Sequence, residues 1–110
     1  MLFENCLFIF TKTDWSEFAT QIQKLRSLKK DARTLSRFIF GGASEDNIDK
    51  QGRVIIPQGL RDWSQTKKEI VIIGVSNRLE VWSAENWNKV EKEAASSYSE
   101  IAEELADLGF

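Results

Sequence analysis

The feature that most constrains this chain is a repeat of its own sequence at a distance of 72 residues. In each copy an asparagine is followed by a short predicted strand, an aromatic residue and, five residues later, a tryptophan. The matched pairs are Asn5 with Asn77, Leu7 with Leu79, Ile9 with Val81, Phe10 with Trp82, Trp15 with Trp87 and Phe18 with Val90. A repeated turn, strand and helix predicts two supersecondary units that pack together and share one core.

The two copies differ in what precedes them. Counted from Asp46, the second copy has 31 residues ahead of Asn77, whereas four precede Asn5. We therefore expect about 27 residues, a turn-strand-helix-strand block, to be absent from the front of the first copy. Met1 would then be an internal or misassigned start, or the start of a truly shortened form. The alternative is that the first copy never had this block.

Hydrophobic spacing predicts the elements of the first copy. An apolar stripe from Trp15 to Leu25 recurs every three to four residues, as in an amphipathic helix. Thr13 or Asp14 is the predicted cap of that helix. The predicted order is a strand at 6–10, this helix, a polar link at 27–30 and a second helix at 31–40, which Gly41 and Gly42 end.

The second copy has clearer turn chemistry. Asp49 can accept hydrogen bonds from its own backbone in a turn at 49–53, and Gly52 can take a positive φ there. Pro57 suits the start of a helix. The predicted order is a strand at Ile48, the turn, a strand at 54–56, a helix at 58–63, a strand at 69–75 buried on both faces, a return strand at 79–82 and a helix from Ala84 capped by Ser83.

Charge is distributed unevenly around a net value of −2. Residues 24–68 hold eleven Lys/Arg and five Asp/Glu, whereas the rest of the chain holds four basic and twelve acidic residues. A basic middle permits a local anion-binding surface. The plainer interpretation is a set of solvated helix faces.

Catalytic and metal sites have little support in the sequence. Histidine, the common general base and metal ligand, does not occur. The single cysteine, Cys6, lies in an apolar run, which indicates an inert thiol and excludes an intramolecular disulfide. That run is too short for a signal peptide or a membrane span. We expect a cytoplasmic protein that is not an enzyme and has no metal or cofactor.

The run at 49–57, Asp-Lys-Gln-Gly-Arg-Val-Ile-Ile-Pro, resembles the MraZ family of bacterial transcriptional repressors. The resemblance covers nearly all of residues 1–92. Other stretches agree with it in order along the chain: Asn5-Cys6-Leu7, Arg37-Phe38, Gly41-Gly42-Ala43, Gly74-Val75-Ser76-Asn77-Arg78 and Glu80-Val81-Trp82.

The resemblance implies an α+β fold: an AbrB/SpoVT-like swapped-hairpin β-barrel with flanking helices and a two-copy repeat. It implies rings that bind short direct repeats of double-stranded DNA upstream of the protein's own division and cell-wall operon. Members carry two Asp-x-x-x-Arg units, whereas this chain has only the second. The expected organisation is an incomplete first copy at 1–44, a complete second copy at 45–95 and an acidic helical tail at 96–110.

Arg53 is the first candidate for a DNA contact, because a guanidinium at a hairpin turn suits guanine or phosphate oxygens. Lys50 would add a charge toward the DNA backbone. Asp49, Gly52 and Pro57 are predicted to be structural. The alternative for Arg53 is that it bridges to Asp49 and only stabilises the turn.

Arg33 and Arg37 form a second basic set, four residues apart on one predicted helix face. They could contact phosphates or the acidic tail of another subunit. The leading hypothesis is a nucleoid-associated, sequence-specific repressor that acts as a homo-oligomer, without a membrane partner. The competing hypothesis is a truncated interaction subunit of the same fold that does not bind DNA.

Overall fold

The computed structural model describes residues 5–25 and 29–109 of the chain. It is a mixed α/β structure with a three-stranded antiparallel sheet in the order β1-β3-β2. Residues 27 and 28 of the link predicted at 27–30 lie outside the described residues, whereas Lys29 caps α2 and Lys30 begins it. The elements are β1 (Leu7–Ile9), α1 (Lys12–Gln23), α2 (Lys30–Gly42), α3 (Gln58–Ser64), β2 (Ile70–Val75), β3 (Arg78–Ser83) and α4 (Ala84–Asp107).

The central pairing joins the strands that match at a distance of 72 residues. Phe8 lies opposite Glu80, its own equivalent in the other copy. On either side of this pair, Leu7 faces Val81 and Ile9 faces Leu79. Leu7 corresponds to Leu79 and Ile9 to Val81, so exchanging the two copies converts one of these pairs into the other. β1 and β3 are therefore related by an approximate twofold rotation about the Phe8–Glu80 pair.

The helices that follow these strands begin at matching positions. Thr11 caps α1 by accepting a hydrogen bond from the Asp14 backbone N–H at 3.2 Å. Ser83 caps α4 in the same way, accepting from the Asn86 N–H at 3.1 Å. The Ser83 prediction is confirmed. The prediction of Thr13 or Asp14 as the cap of α1 is wrong, because both lie inside the helix. The Asp14 carboxylate lies in the first turn, where it interacts favourably with the positive end of the helix dipole.

The buried apolar residues lie in or next to the paired strands β1 and β3. Trp82 is almost completely buried, and its ring meets Trp87 edge to face with 5.8 Å between centroids. The equivalent rings of the first copy, Phe10 and Trp15, lie 5.9 Å apart. Each strand end is therefore packed against its following helix by an aromatic pair. Within the described part of the chain, the fully buried apolar side chains are those of Cys6, Leu7, Val81 and Trp82.

The strands predicted at Ile48 and at 54–56 do not form. Both segments lie outside the sheet, and the side chains of Ile48 and Ile55 are 72% and 82% exposed. A strand needs a neighbour for its backbone N–H and C=O groups. Among the described residues neither segment has one beyond the turn that joins them.

β2 departs from its predicted environment as well. The sequence predicts burial on both faces, but among the described residues β2 is an edge strand whose one neighbour is β3. Ile70 and Ile72 are exposed on the same sheet face as Leu79. One face at the β2 edge is consequently apolar and uncovered, a feature that marks interaction surfaces.

α2 is longer than predicted. Gly41 and Gly42 lie inside the helix, which ends at the extended residue Ala43. Glycine lowers helix stability by only about 1 kcal/mol, so a final turn can contain it. Phe38 on this helix is half-exposed, and its ring lies 4.9 Å from that of Trp63 on α3.

Among residues 5–25 and 29–109, no helix is both long enough and apolar enough to cross a membrane.

Candidate nucleic-acid interface

The turn at 49–53 is held by the carboxylate of its first residue. Asp49 Oδ1 accepts hydrogen bonds from the backbone N–H groups of Gln51 at 2.9 Å and Arg53 at 2.8 Å. Oδ2 accepts from Arg53 Nε at 2.9 Å. The backbone closes the turn, with the Asp49 N–H donating to the Arg53 carbonyl and the Gly52 N–H to the Asp49 carbonyl. An aspartate that satisfies backbone donors in this way stabilises a tight turn.

Gly52 supplies the conformation that the turn needs. Its φ is +78°, in the left-handed region that side chains with a Cβ atom rarely adopt. No atom lies within 4 Å of the position where a Cβ would be. The requirement for glycine is therefore set by the backbone and not by crowding. Both predictions of turn chemistry, at Asp49 and at Gly52, agree with the structure.

The Arg53 guanidinium is held at Nε, and most of the side chain is exposed. Nε is bound to Asp49, while 73% of the side chain is exposed. Arginine has five N–H donors, four of them on the two terminal nitrogens. The Asp49 contact thus orients the guanidinium and leaves its terminal donors toward solvent. The ion pair proposed as an alternative role does exist, and its geometry is compatible with an additional anion.

The pKa of Asp49 is lowered from its ordinary value of 3.8. The largest cause is the hydrogen bond from the Arg53 backbone N–H, with further contributions from the Arg53 side chain and the Gln51 N–H. Partial desolvation acts in the opposite direction. The carboxylate therefore stays charged throughout the neutral range, and the turn retains its anchor there.

The two remaining predicted residues of this unit, Lys50 and Pro57, follow Asp49 in the chain. Lys50 is exposed at the second position of the turn, adjacent in sequence to Asp49. Pro57 is the N-cap residue of α3, with φ −55° and ψ 148°, one position earlier than the first helical position. α3 in turn is tied to α4, because Asn86 Nδ2 donates to Gln65 Oε1 at 3.0 Å.

Arg33 and Arg37 lie on a different element. Both are exposed on α2, and both line an open groove of about 400 Å³ between α1 and α2. Apolar side chains, Ile22, Leu25 and Phe40, form much of the groove wall. The structure brings these two arginines together with an apolar surface, whereas Lys50 and Arg53 share the 49–53 turn.

A polar cluster on β3 was not identified from the sequence. Glu80 is buried and accepts hydrogen bonds from Arg78 Nη2 at 2.9 Å and Trp82 Nε1 at 3.1 Å. The Arg78 guanidinium also lies over the Phe8 ring, 4.2 Å from its centroid. The alternation Arg-x-Glu-x-Trp could have indicated the cluster, because alternate residues of a strand share one face.

Comparison with known proteins identifies the family. A family model described as "MraZ protein, putative antitoxin-like" matches residues 39–109. The Transcriptional regulator MraZ of Natranaerobius thermophilus is 46% identical over 105 residues, covering 96% of this chain and 73% of that protein. The chain belongs to the MraZ family. The Transcriptional regulator MraZ of Desulforamulus reducens is 40% identical, with 96% and 74% coverage.

The resemblance found in the sequence at 49–57 is thereby confirmed at the level of the family. A further MraZ relative, the Transcriptional regulator MraZ of Heliobacterium modesticaldum, is 42% identical over 105 residues and covers the same 96% of this chain. The MraZ relatives carry the name of transcriptional regulators and not of enzymes. The 49–53 turn lies within the matched region.

Proposed function

We propose that this protein is a sequence-specific repressor that binds the promoter of its own division and cell-wall operon as an oligomer. It would lie with the nucleoid in the cytoplasm and recognise short direct repeats in double-stranded DNA. The observation that carries the proposal is the 49–53 turn, which holds an exposed guanidinium on a rigid base in a member of a regulator family. Such a group can contact guanine in the major groove or a phosphate.

The roles of the turn residues follow from this geometry. Arg53 would make the base or phosphate contact, and Lys50 would contribute a charge toward a neighbouring phosphate. Asp49 would have no direct contact with DNA, because its charge repels phosphate. It would keep Arg53 oriented, so that little conformational entropy is lost on binding. Gly52 and Pro57 would set the path of the chain through and after the turn.

Oligomer formation is supported by the uncovered apolar surface. The exposed side chains at Ile48 and Ile55 flank the turn, and Ile72 is exposed on edge strand β2. We propose that residues 45–95 form a swapped-hairpin unit in which these segments pair with strands of another copy. Residues 1–44 would contribute an incomplete unit, and residues 96–110 an acidic tail. A ring of such units would place several Arg53 side chains along repeated DNA sites and add their weak contacts.

The same surface favours a second candidate. Exposed apolar residues next to unpaired backbone are what an interaction subunit without DNA affinity would also present. In that case the Asp49–Arg53 pair would only stabilise the turn. The two functions differ in one measurable property, which is selective affinity for the promoter.

The test is binding of the purified chain to its own upstream promoter fragment and to a scrambled fragment of equal length, across a salt series. Variants Arg53→Ala and Arg53→Lys are compared with Lys89→Ala. Lys89 is the matched control, because it is an exposed cation that pairs with the acidic side chain four residues before it. Circular dichroism checks that each variant remains folded.

We expect Arg53→Ala to weaken promoter binding by about 5- to 150-fold, the range for loss of one bidentate base contact. Arg53→Lys should recover only part of this, because lysine lacks the planar fork. Lys89→Ala should remain within about twofold of the parent. If Arg53 contacts only phosphate, the salt slope should fall by about 0.9 without loss of selectivity. Folded, assembled protein without promoter selectivity would support the interaction subunit instead.

The secondary basic set is tested in the same assay. An Arg33→Ala, Arg37→Ala double variant with an unchanged salt slope would exclude phosphate contacts by α2.

A further inference from the structure

The second half of α4 presents an exposed apolar stripe. From Glu91 to the end of the helix every residue but Ser97 is exposed. Tyr98, Ile101, Leu105 and Leu108 recur at alternating intervals of three and four residues, which places them on one side of a helix. We call these four side chains the tail face. Their exposed fractions range from 43% to 74%, so this face is largely in contact with solvent.

The charge around the tail face is of one sign. Residues 93–107 contain five acidic residues and no lysine or arginine. At 100° per residue, Glu104 lies directly beside the tail face, whereas Glu103 lies on the opposite side of the helix. The edge of the apolar stripe is therefore acidic at a defined position. A partner for this stripe needs an apolar surface that is bordered by cations.

The groove between α1 and α2 has those two properties. Ile22, Leu25 and Phe40 give it an apolar wall, and Ser36 and Arg37 line it from α2 together with Arg33. Its volume is about 400 Å³, and it is open to solvent. Arg37 is exposed and makes no ion pair or hydrogen bond with any other described residue. The local charge is positive, since residues 24–37 contain six Lys/Arg and one Asp.

Charge complementarity selects one occupant for the groove. Two tail faces packed against each other would bring together two helices that each carry five acidic residues over 93–107. The groove offers apolar contact without that repulsion. We propose that the tail face of one copy docks in the α1–α2 groove of a second copy, with Glu104 paired to Arg37. The inference rests on the oligomer part of the proposed function and not on DNA binding.

The tail face and the groove are different surfaces of the chain, so the tail of one copy in the groove of the next is a head-to-tail contact. Each copy offers one tail face and one groove, and repetition of the contact generates a closed ring or an open chain. The contact is distinct from pairing of the 45–56 segments, because it uses helices only. It gives α2 arginines a role in assembly, in place of the phosphate contact considered for them.

The charge test uses the full chain without DNA. Sedimentation or mass photometry over a concentration series measures association of the parent and of Glu104→Arg, Arg37→Glu and the double variant. Each single charge reversal should weaken association by roughly 3- to 30-fold, the range for losing one exposed pair and adding a repulsion. The double variant should recover most of that loss. Glu103→Arg is the matched control and should leave association within about twofold.

Cysteine cross-linking tests the location directly. One preparation carries Ser36→Cys and the other Leu105→Cys, and the two are mixed under mild oxidation. We expect a mixed disulfide between two chains, while Ser36→Cys paired with Glu103→Cys should give little. The native Cys6 is buried, so it should not compete for the mixed disulfide. Before the mixture is analysed, circular dichroism and association equal to that of the parent confirm that each cysteine variant is folded.

The outcomes separate the inference from the proposed function. If the parent is a monomer at all concentrations, both the oligomer proposal and this contact are wrong. If the parent assembles but Glu104→Arg behaves like Glu103→Arg, only the docking contact is wrong. If a single chain carrying Ser36→Cys and Leu105→Cys closes on itself instead of joining another chain, the tail occupies its own groove and the proposal is overturned. Failure of DNA binding alone leaves the contact unaffected.

Discussion

Replacement of Glu80 should produce a large loss of stability. Its carboxylate is 7% exposed and accepts from Arg78 Nη2 at 2.9 Å, Arg78 Nε at 3.3 Å and Trp82 Nε1 at 3.1 Å. Glu80→Ala would leave the Trp82 N–H without an acceptor at a site that is 1% exposed. An unsatisfied buried donor destabilises a fold by about 1–3 kcal/mol.

The lost ion pair adds to this figure. Breaking a buried pair costs about 3–5 kcal/mol, but the Arg78 side chain is 24% exposed and keeps its contact with the Phe8 ring. The charge left behind is therefore partly solvated, and we place the total for Glu80→Ala at about 3 kcal/mol. Glu80→Gln keeps an acceptor for the Trp82 N–H, so its loss should be about 1–1.5 kcal/mol, the difference between charged and neutral hydrogen bonds.

Thermal and urea unfolding, followed by circular dichroism at one fixed protein concentration, measures both variants. Fixed concentration is needed because association shifts the apparent stability. For a chain of this size, 1 kcal/mol corresponds to about 4–8 °C in Tm, so Glu80→Ala should melt about 12–24 °C below the parent. Glu85→Ala removes an exposed carboxylate 3.8 Å from Lys89 and should change stability by less than about 0.5 kcal/mol. Equal stability of Glu80→Ala, Glu80→Gln and the parent would refute the reasoning.

Two further predictions concern the 49–53 turn. Gly52→Ala should lower the free energy of unfolding by about 1–2 kcal/mol, because the φ of Gly52 is +78°. Gly59 lies inside α3 with open space around it, so Gly59→Ala should raise the free energy of unfolding by up to about 1 kcal/mol. Equal effects in urea titrations would show that backbone conformation is not the cause. The lowered pKa of Asp49 contributes stability that is present above its unfolded pKa and is lost as pH falls through the folded value, below the ordinary 3.8. In a carboxyl NMR titration, Arg53→Ala should raise that pKa only in part, since the larger cause is the backbone N–H of residue 53; a full return to the ordinary value would contradict this order of causes.

Local chemistry allowed much of the candidate site to be predicted from the sequence. An aspartate followed three residues later by glycine predicts the 49–53 turn, because both residues act through the adjacent backbone. The Ser83 cap follows for the same reason. The repeat also indicates the first helix cap, because Thr11 lies 72 residues before Ser83 and corresponds to it.

What could not be predicted depends on neighbours in space. The apolar run at 69–75 has the composition of a buried strand, yet β2 is at the sheet edge and Ile72 is exposed. The segment at 54–56 has suitable residues for a strand and no partner for its backbone among the described residues. The Glu80 hydrogen bonds lie within β3 and follow from strand alternation, but the contact of Arg78 with the Phe8 ring depends on the pairing of β3 with β1.

These exposed segments would connect the proposed assembly with the proposed DNA contact. The turn that orients Arg53 is flanked by Ile48 and the 54–56 segment, which have no strand neighbour within residues 5–25 and 29–109. A turn on unpaired strands is anchored only by its own hydrogen bonds, whereas pairing with another copy would fix the direction in which Arg53 projects. The fraction of DNA bound should then rise with protein concentration more steeply than one independent site allows. The Glu104–Arg37 contact would favour the same pairing between copies. A ring held together by its helices would raise the local concentration of the unpaired segments that flank the turn.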